Sequence, residues 1–173
     1  MEQAYKIGLA AGAALAAIAI VVIMLMKKSK KVSHFDERQK LARGRAYKAG
    51  YFTLITYMFL YGITDAVGLI WCDTLTGLCI GLIMGVAAFS IAAIHDDAFL
   101  ALDENIRSWS MLSVIITVIN LAVAVINSIR GRAIAAEGLT FYSINYFVAG
   151  LFVLIFISLM IRNSRTSREE DEE

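Results

Sequence analysis

Residues 74–94 read TLTGLCIGLIMGVAAFSIAAI, an uninterrupted stretch without a charged side chain. A helix rises about 1.5 Å per residue, so about 20 apolar residues cross a hydrocarbon core roughly 30 Å thick. Backbone amides and carbonyls need partners in lipid, and a helix provides them within itself. This stretch therefore predicts a membrane-spanning α-helix.

Similar stretches lie on both sides of it, and Asp65 is the only formally charged residue well inside one. The 173-residue chain is 59% hydrophobic, whereas soluble domains have roughly 45–50% apolar residues. We predict an all-α polytopic membrane protein, a bundle of five transmembrane helices with two short cytoplasmic interfacial helices. Residues 1–161 form one membrane domain, and residues 162–173 form a charged cytoplasmic tail that is expected to be disordered. The predicted spans are about residues 5–26, 49–71, 75–95, 109–129 and 140–161.

Basic residues predict the orientation of these spans. Residues 27–48 contain nine Lys or Arg side chains against two acids, a net charge of +7. With this segment inside, thirteen basic residues are inside and three outside, and cytoplasmic loops are enriched in such residues. We therefore predict a multi-pass protein of the cell membrane with its N-terminus outside and its C-terminus in the cytoplasm. The Trp71–Leu75 turn and the Arg130–Glu137 loop are placed outside, and the first span is expected to be an uncleaved anchor.

Two charged segments on the predicted inner side are patterned. Ser33 and Asp36 resemble a capping box, which predicts a helix over residues 33–48 with a bend at Gly44. Each of its basic residues near anionic lipid contributes about 1 kcal/mol of attraction. Apolar residues at spacings of three and four predict a second helix over residues 96–108, whose acids would pair with the first. The candidate functional or partner surface consists of Asp36, Glu37, Arg38, Arg43, Asp96, Asp97, Asp103 and Glu104.

Three polar residues are predicted to lie within the membrane: Asp65, Asn120 and Asn127. Ionisable groups are costly there and often functional, so Asp65 is either a functional group or a hydrogen-bonded structural one. The two asparagines share a face with Ser113 and should contact protein rather than lipid. They either bond to a neighbouring helix or line a polar pathway.

Small residues indicate a close helix contact. Gly77, Gly81 and Gly85 recur at every fourth position, a spacing that lets two helices approach closely. The partner helix belongs to this chain or to a second copy. The two cysteines, Cys72 and Cys79, are interpreted as small apolar side chains, with a disulfide left open.

Motifs for catalysis are missing from the sequence: a phosphate-binding glycine loop, a zinc HExxH motif and a nucleophile elbow are all absent. The best catalytic or metal candidate is His95-Asp96-Asp97, which nothing in the sequence holds in a fixed geometry. We predict no catalytic residue, cofactor or metal. Because no DNA-binding motif accompanies the basic segment, nucleic acid is not expected as a partner. The predicted partners are the bilayer, with anionic lipid near residues 27–48, and another membrane protein or a second copy of the chain.

The stretch Phe35-Asp36-Glu37-Arg38-Gln39, followed by Ala42-Arg43-Gly44 and Ala46, resembles a group of uncharacterised small multi-pass membrane proteins of Gram-positive bacteria. Asp97-Ala98-Phe99 with Leu102-Asp103-Glu104-Asn105 looks like the second shared stretch of that group, and the acidic tail is also similar. The likeness covers most of the chain after residue 33. It implies no activity. It implies that both stretches lie on the predicted cytoplasmic side, where a site or partner surface is expected.

Three functions follow as hypotheses. The first is a non-enzymatic accessory or regulatory membrane subunit acting through cytoplasmic helices 33–48 and 96–108. The second is a small transporter or channel using Asp65 and the Asn120/Asn127 stripe, against which the lack of proline weighs mildly. The third is a membrane-embedded enzyme acting on lipid headgroups through the cluster at residues 95–97.

Overall fold

A computed structural model of the chain describes residues 35–102, 104–136 and 138–171, with side chains as far as residue 165. The predicted span over residues 5–26, the basic residues before position 35 and Asp103 lie outside the described residues. Within the described part are four α-helices and one short hairpin. The helices are α1 (Glu37–Ala66), α2 (Thr74–His95), α3 (Ile106–Ile129) and α4 (Ile144–Asp171), the last preceded by a 3-10 turn at Phe141–Ser143. The hairpin strands are β1 (Ile134–Ala135) and β2 (Gly138–Leu139).

Three of these helical segments are long and apolar enough to cross a membrane: Thr74–His95, Ile106–Ile129 and Phe141–Arg165. They correspond to the third, fourth and fifth predicted spans and make the chain compatible with a multi-pass membrane protein. The helix that carries the second predicted span, residues 49–71, is not among these three, and it does not reach the predicted end of the span. This helix stops at Ala66, because the chain turns at Gly68 with a φ of 75°.

The predicted capping box lies one turn later in the structure than expected. Asp36, rather than Ser33, caps α1: its Oδ1 accepts a hydrogen bond from the Gln39 amide at 2.6 Å. The Gln39 Oε1 accepts from the Asp36 amide at 3.3 Å, which completes the reciprocal pair. The helix then runs through Gly44 without a break. The predicted interfacial helix is therefore the first part of a 30-residue helix.

The prediction of a second interfacial helix over residues 96–108 is wrong. Asp97 has a φ of 55°, the left-handed conformation that ends helices. The amide of Ala98 donates to the carbonyl of Ala93 at 2.8 Å, and the amide of Asp97 donates to that of Ile94 at 3.2 Å. These two bonds form a Schellman motif, which stops α2. An irregular connection follows until Asn105 caps α3.

Two other segments also differ from expectation. The predicted outer loop Arg130–Glu137 enters a hairpin, in which Ile134 pairs with Leu139. The tail after residue 161 was expected to be disordered, but α4 continues to Asp171.

The helices pack in the order α1, α2, α4, α3, with α2 in contact with both α1 and α4. The α2–α4 contact holds the apolar core, together with one residue of the connection. The buried members of this core are Ala87, Ile94, Leu100, Leu151, Ile155 and Leu159.

The glycines at every fourth position of α2 face α1 of the same chain. Gly77 lies against the ring of Tyr61, and a Cβ on Gly81 would stand 2.7 Å from the ring of Tyr57. Gly85 meets Gly50 of α1, where a Cβ on Gly50 would stand 2.7 Å from the Gly85 carbonyl oxygen. The glycine face of α2 therefore packs against a helix of the same chain.

Candidate functional site

The two stretches marked in the sequence meet at one end of the helices. The start of α1 packs on the connection between α2 and α3, and the end of α4 closes the third side. We call this region the charged end; it comprises residues 35–48, 95–102, 104–105 and 158–165. Most of the predicted partner surface lies in it.

Gln39 and Arg43, one helical turn apart on α1, hold the backbone of the connection. The Gln39 Nε2 donates to the carbonyl oxygens of Asp97 at 2.8 Å and Leu100 at 3.4 Å. The Arg43 Nη1 donates to the next two carbonyls, those of Ala98 at 3.2 Å and Phe99 at 3.4 Å. Because buried carbonyls need hydrogen-bond donors, these two side chains stabilise a segment that has no regular structure of its own.

Asp96 forms an ion pair and a second hydrogen bond at the end of α2. Its Oδ2 lies 2.9 Å from Nη2 of Arg45, and its Oδ1 lies 3.1 Å from Nδ1 of His95. The hydrogen bond from Arg45, and then that from His95, lowers the pKa of the Asp96 carboxyl below its ordinary value. Asp96 is therefore held as a carboxylate.

Asp97 connects three helices through its carboxylate. Its Oδ1 accepts a hydrogen bond from Nε of Arg162 in α4 at 2.6 Å. Its Oδ2 lies 3.7 Å from Nη2 of Arg38 in α1. The expected pairing between the acids of this connection and the basic residues of α1 is thus present, and α4 contributes a second arginine that the sequence did not single out.

The other described acids of the predicted surface either accept hydrogen bonds from backbone amides or form an exposed ion pair. Asp36 caps α1, and Glu104 Oε2 accepts from the amide of Ala101 at 3.1 Å. Glu37 forms an exposed ion pair with Lys40 at 2.7 Å. Asp103 lies outside the described residues.

The chemistry available to residues 95–97 is narrow. Both carboxylates accept hydrogen bonds from guanidinium groups. For Asp96, the bond from Arg45 lowers the pKa and so makes the carboxylate a weaker base. Among residues 35–171, apart from the two undescribed positions, no group of three His, Cys, Asp or Glu side chains is placed to hold a metal ion. The geometry favours a structural assembly over a reactive one.

Of the three residues predicted to be intramembrane, one is exposed at a helix end, one bonds within its own helix and one bonds to another element. Asp65 is exposed in the last turn of α1, next to the helix end at Ala66, so the structure does not place it in the middle of a helix. Asn120 Nδ2 donates to the carbonyl of Ile116 in its own helix at 2.9 Å. Asn127 Nδ2 reaches the carbonyl of Tyr142 at 3.4 Å.

The two segments predicted to be outside meet at the opposite end of the helices. The Leu139 amide donates to the carbonyl of Trp71, and the Asp73 amide donates to that of Leu139, both at 2.9 Å. Cys72, only 3% exposed, lies between these two bonds, and both it and Cys79 are free thiols. This end carries a compact hairpin contact and few charges.

A cavity of about 370 Å³ opens between α2 and α4 at the charged end. Its walls combine isoleucines with basic side chains. It is lined by Ile91, Ile94, His95, Asp97, Ser158, Ile161, Arg162 and Arg165.

Sequence reasoning missed Gln39, Arg45 and Arg162 as members of the site. Gln39 carried a signal, because it shares one helix face with Arg43, Ala42 and Ala46. Arg162 carried none beyond its place after the last span. Comparisons with protein-family models, with curated proteins and with solved structures find no match for this chain.

Proposed function

We propose that the chain is a non-enzymatic accessory or regulatory membrane subunit that acts through the charged end. The observation that carries this proposal is the way in which the charged end is held. Side chains of α1 hold the irregular connection by its carbonyls, and ion pairs join it to α1 and α4. Such a fixed surface suits recognition of a partner, because little conformational freedom is lost on binding.

The membrane arrangement that we propose has five spans, with the N-terminus outside and the C-terminus in the cytoplasm of a cell. The apolar part of α1, residues 49–66, is about 27 Å long at 1.5 Å per residue, which is close to the thickness of a bilayer core. The charged end then faces the cytoplasm, and anionic lipid surrounds the basic residues 27–48. Pairing of residues 71–73 with residue 139 at the opposite end supports this grouping of the loops.

The surface offered to a partner is the face of α1 that points away from the connection. Gln39, Ala42 and Ala46 form the buried face of this helix. Leu41 is 70% exposed and Lys48 is also exposed, so both remain available for contact. A leucine beside basic side chains fits a partner with an acidic, partly apolar surface, such as a cytoplasmic helix of another membrane protein.

The contacts of the other candidate residues support this proposal over its rivals. A headgroup enzyme would need a carboxylate free to take up a proton, whereas Asp96 and Asp97 each accept from an arginine. A polar pathway would need Asn120 to face it, whereas its amide donates to its own helix.

The test is photo-crosslinking in native membranes from a reactive residue placed at position 41. We expect an adduct with one membrane protein, lost when Lys48→Glu reverses the neighbouring charge. The matched reversal Arg130→Glu, at the opposite end of the helices, should leave the adduct unchanged. Recovery of the protein alone under every solubilisation condition, with no adduct from position 41, would overturn the proposal.

A further inference from the structure

We propose that the cavity between α2 and α4 binds one anionic phospholipid, with the phosphate at Arg165 and the start of the acyl chains against the isoleucines. The proposal rests on the membrane placement of α2 and α4 given above. The volume of the cavity, about 370 Å³, lies within the usual range for small-molecule sites, roughly 300–1,000 Å³.

The order of side chains along the two helices matches the order of groups in a phospholipid. Both helices run toward the charged end, so Ile91 lies about 6 Å deeper than His95 at 1.5 Å per residue. Ser158 lies about 10 Å deeper than Arg165 by the same measure. The hydroxyl of Ser158 donates to the carbonyl of Leu154 at 2.8 Å, so it is already paired within its helix. The deep part of the cavity is therefore apolar and the shallow part is basic.

The charge of the cavity favours an anion. Two arginines and one aspartate line it, together with His95, which gives a net charge of +1 when the histidine is neutral. The Asp97 carboxylate is compensated, because it accepts from Arg162 at 2.6 Å and lies 3.7 Å from Arg38. An anion entering the cavity therefore meets little net negative charge.

Arg165 is the group most suited to hold a phosphate. Its side chain is exposed, and it has no ion pair with any described side chain. Guanidinium groups bind phosphate oxygens in pairs, with more directional hydrogen bonds than an ammonium makes. His95 donates to Asp96 through Nδ1, so its Nε2 can donate to a phosphate oxygen only when the ring is protonated.

The helix end beside the cavity does not oppose this binding. A helix C-terminus carries partial negative charge on its unpaired carbonyls. The carbonyls of Ala92, Ala93 and Ile94 already accept hydrogen bonds from the amides of residues 96–98. These three carbonyls are thus already paired, which reduces the negative potential that the helix end presents to an anion.

The experiment measures lipid adducts of the purified full chain by native mass spectrometry during titration. The probes are dioleoyl phosphatidylglycerol and dioleoyl phosphatidylcholine, which share acyl chains and differ in charge. We expect one tightly bound phosphatidylglycerol, and a roughly tenfold loss of its affinity in Arg165→Gln, as for a charged hydrogen bond. Arg107→Gln removes the same charge at the start of α3, outside the cavity, and should change the affinity less than about twofold.

A second variant tests the cavity without altering charge. Ser158→Phe fills the apolar part and should weaken both lipids. Equal losses in Arg165→Gln and Arg107→Gln, or equal binding of both lipids by the parent chain, would overturn the proposal. Competition by sn-glycerol 3-phosphate as strong as that of the lipid would assign the cavity to soluble phosphates instead.

Alkaline extraction of membranes distinguishes failure of the proposed lipid site from failure of the proposed membrane placement. If the parent chain stays in membranes and the position-41 adduct persists while Arg165→Gln binds lipid normally, only the lipid site is lost. Release of the parent chain from membranes by alkali would remove both proposals.

Discussion

Gln39 shows how one side chain can serve two levels of structure. Its Oε1 completes the cap of α1, and its Nε2 donates to the connection between α2 and α3. The residue is only 7% exposed, and both the oxygen and the nitrogen of its amide form hydrogen bonds. From the sequence it was part of a shared stretch without an assigned role. A long-range contact, 58 residues away along the chain, cannot be inferred from local spacing.

Asp96 gives a prediction about pH. Its folded pKa lies below the ordinary value of 3.8, chiefly because Arg45 donates to it. Its contribution to stability is therefore complete above that ordinary value and is lost as the pH falls through the folded pKa. Thermal unfolding of the chain in detergent should show a midpoint that drops as the pH falls from 3.8, the ordinary pKa of this group, through its lower folded pKa.

The matching variants separate Asp96 from other acids. Asp96→Asn should lower the midpoint at pH 6 and remove part of the drop. Arg45→Gln should make the drop smaller, because the carboxyl then loses its main hydrogen-bond donor and its folded pKa returns toward the ordinary value. Lys40→Gln removes an exposed ion pair of the same helix and should leave the profile as it is. An unchanged profile in Arg45→Gln would contradict the assignment.

At the scale of elements, the predicted spans over residues 75–95, 109–129 and 140–161 are confirmed as helices long and apolar enough to cross a membrane. The helix predicted over residues 96–108 is wrong. Long runs without charge predict helices because lipid and core packing both require paired backbone groups. The stretch 96–108 had helical spacing as well, with Phe99 and Trp109 on its apolar face. These two rings do pack edge to face, with their centroids 5.4 Å apart. However, Phe99 lies in the irregular connection and only Trp109 lies on a helix. The reason is that Asp97 ends α2 in a left-handed conformation, which the spacing of hydrophobic residues does not reveal.

The α1–α2 contact gives a second prediction, on two glycines of one helix. A Cβ on Gly50 would stand 2.7 Å from the Gly85 carbonyl oxygen, whereas one on Gly44 would meet nothing within 4 Å. Gly50→Ala should therefore force the helices apart and cost about 1–3 kcal/mol, as overpacking typically does. Gly44→Ala should gain about 0.5–1 kcal/mol from helix propensity.

The measurement is the free energy of unfolding in mixed detergent and SDS, followed by circular dichroism. Each variant is the other's control, because both replace one glycine by alanine in α1. Equal effects of the two would show that close packing at Gly50 does not contribute to stability. The sequence predicted the glycines of α2, but their partner Gly50 was found only through the structure, since pairing between helices depends on their relative register.

At the scale of the whole molecule, the polar contacts described between different elements lie at the two ends of the helices. The charged end contains the ion pairs of Asp96 and Asp97. The opposite end contains the hairpin and its contact with Trp71. The proposed orientation places the first of these inside, because thirteen of the sixteen Lys and Arg residues belong to segments on that side.

Labelling of single cysteines tests this orientation. In a chain carrying Cys72→Ala and Cys79→Ala, a cysteine is placed at Leu102, which is 66% exposed at the charged end, or at Ile134, which is 69% exposed at the opposite end. Since the two sites are similarly exposed, a difference between intact and permeabilised cells in their reactivity toward a membrane-impermeant maleimide reports sidedness. We expect Ile134→Cys to react in intact cells and Leu102→Cys to react only after permeabilisation. The reverse pattern would show that the orientation is the opposite of the one proposed. Labelling of both sites in intact cells would contradict the proposed crossing by α3, because a single crossing places the two sites on opposite sides of the membrane.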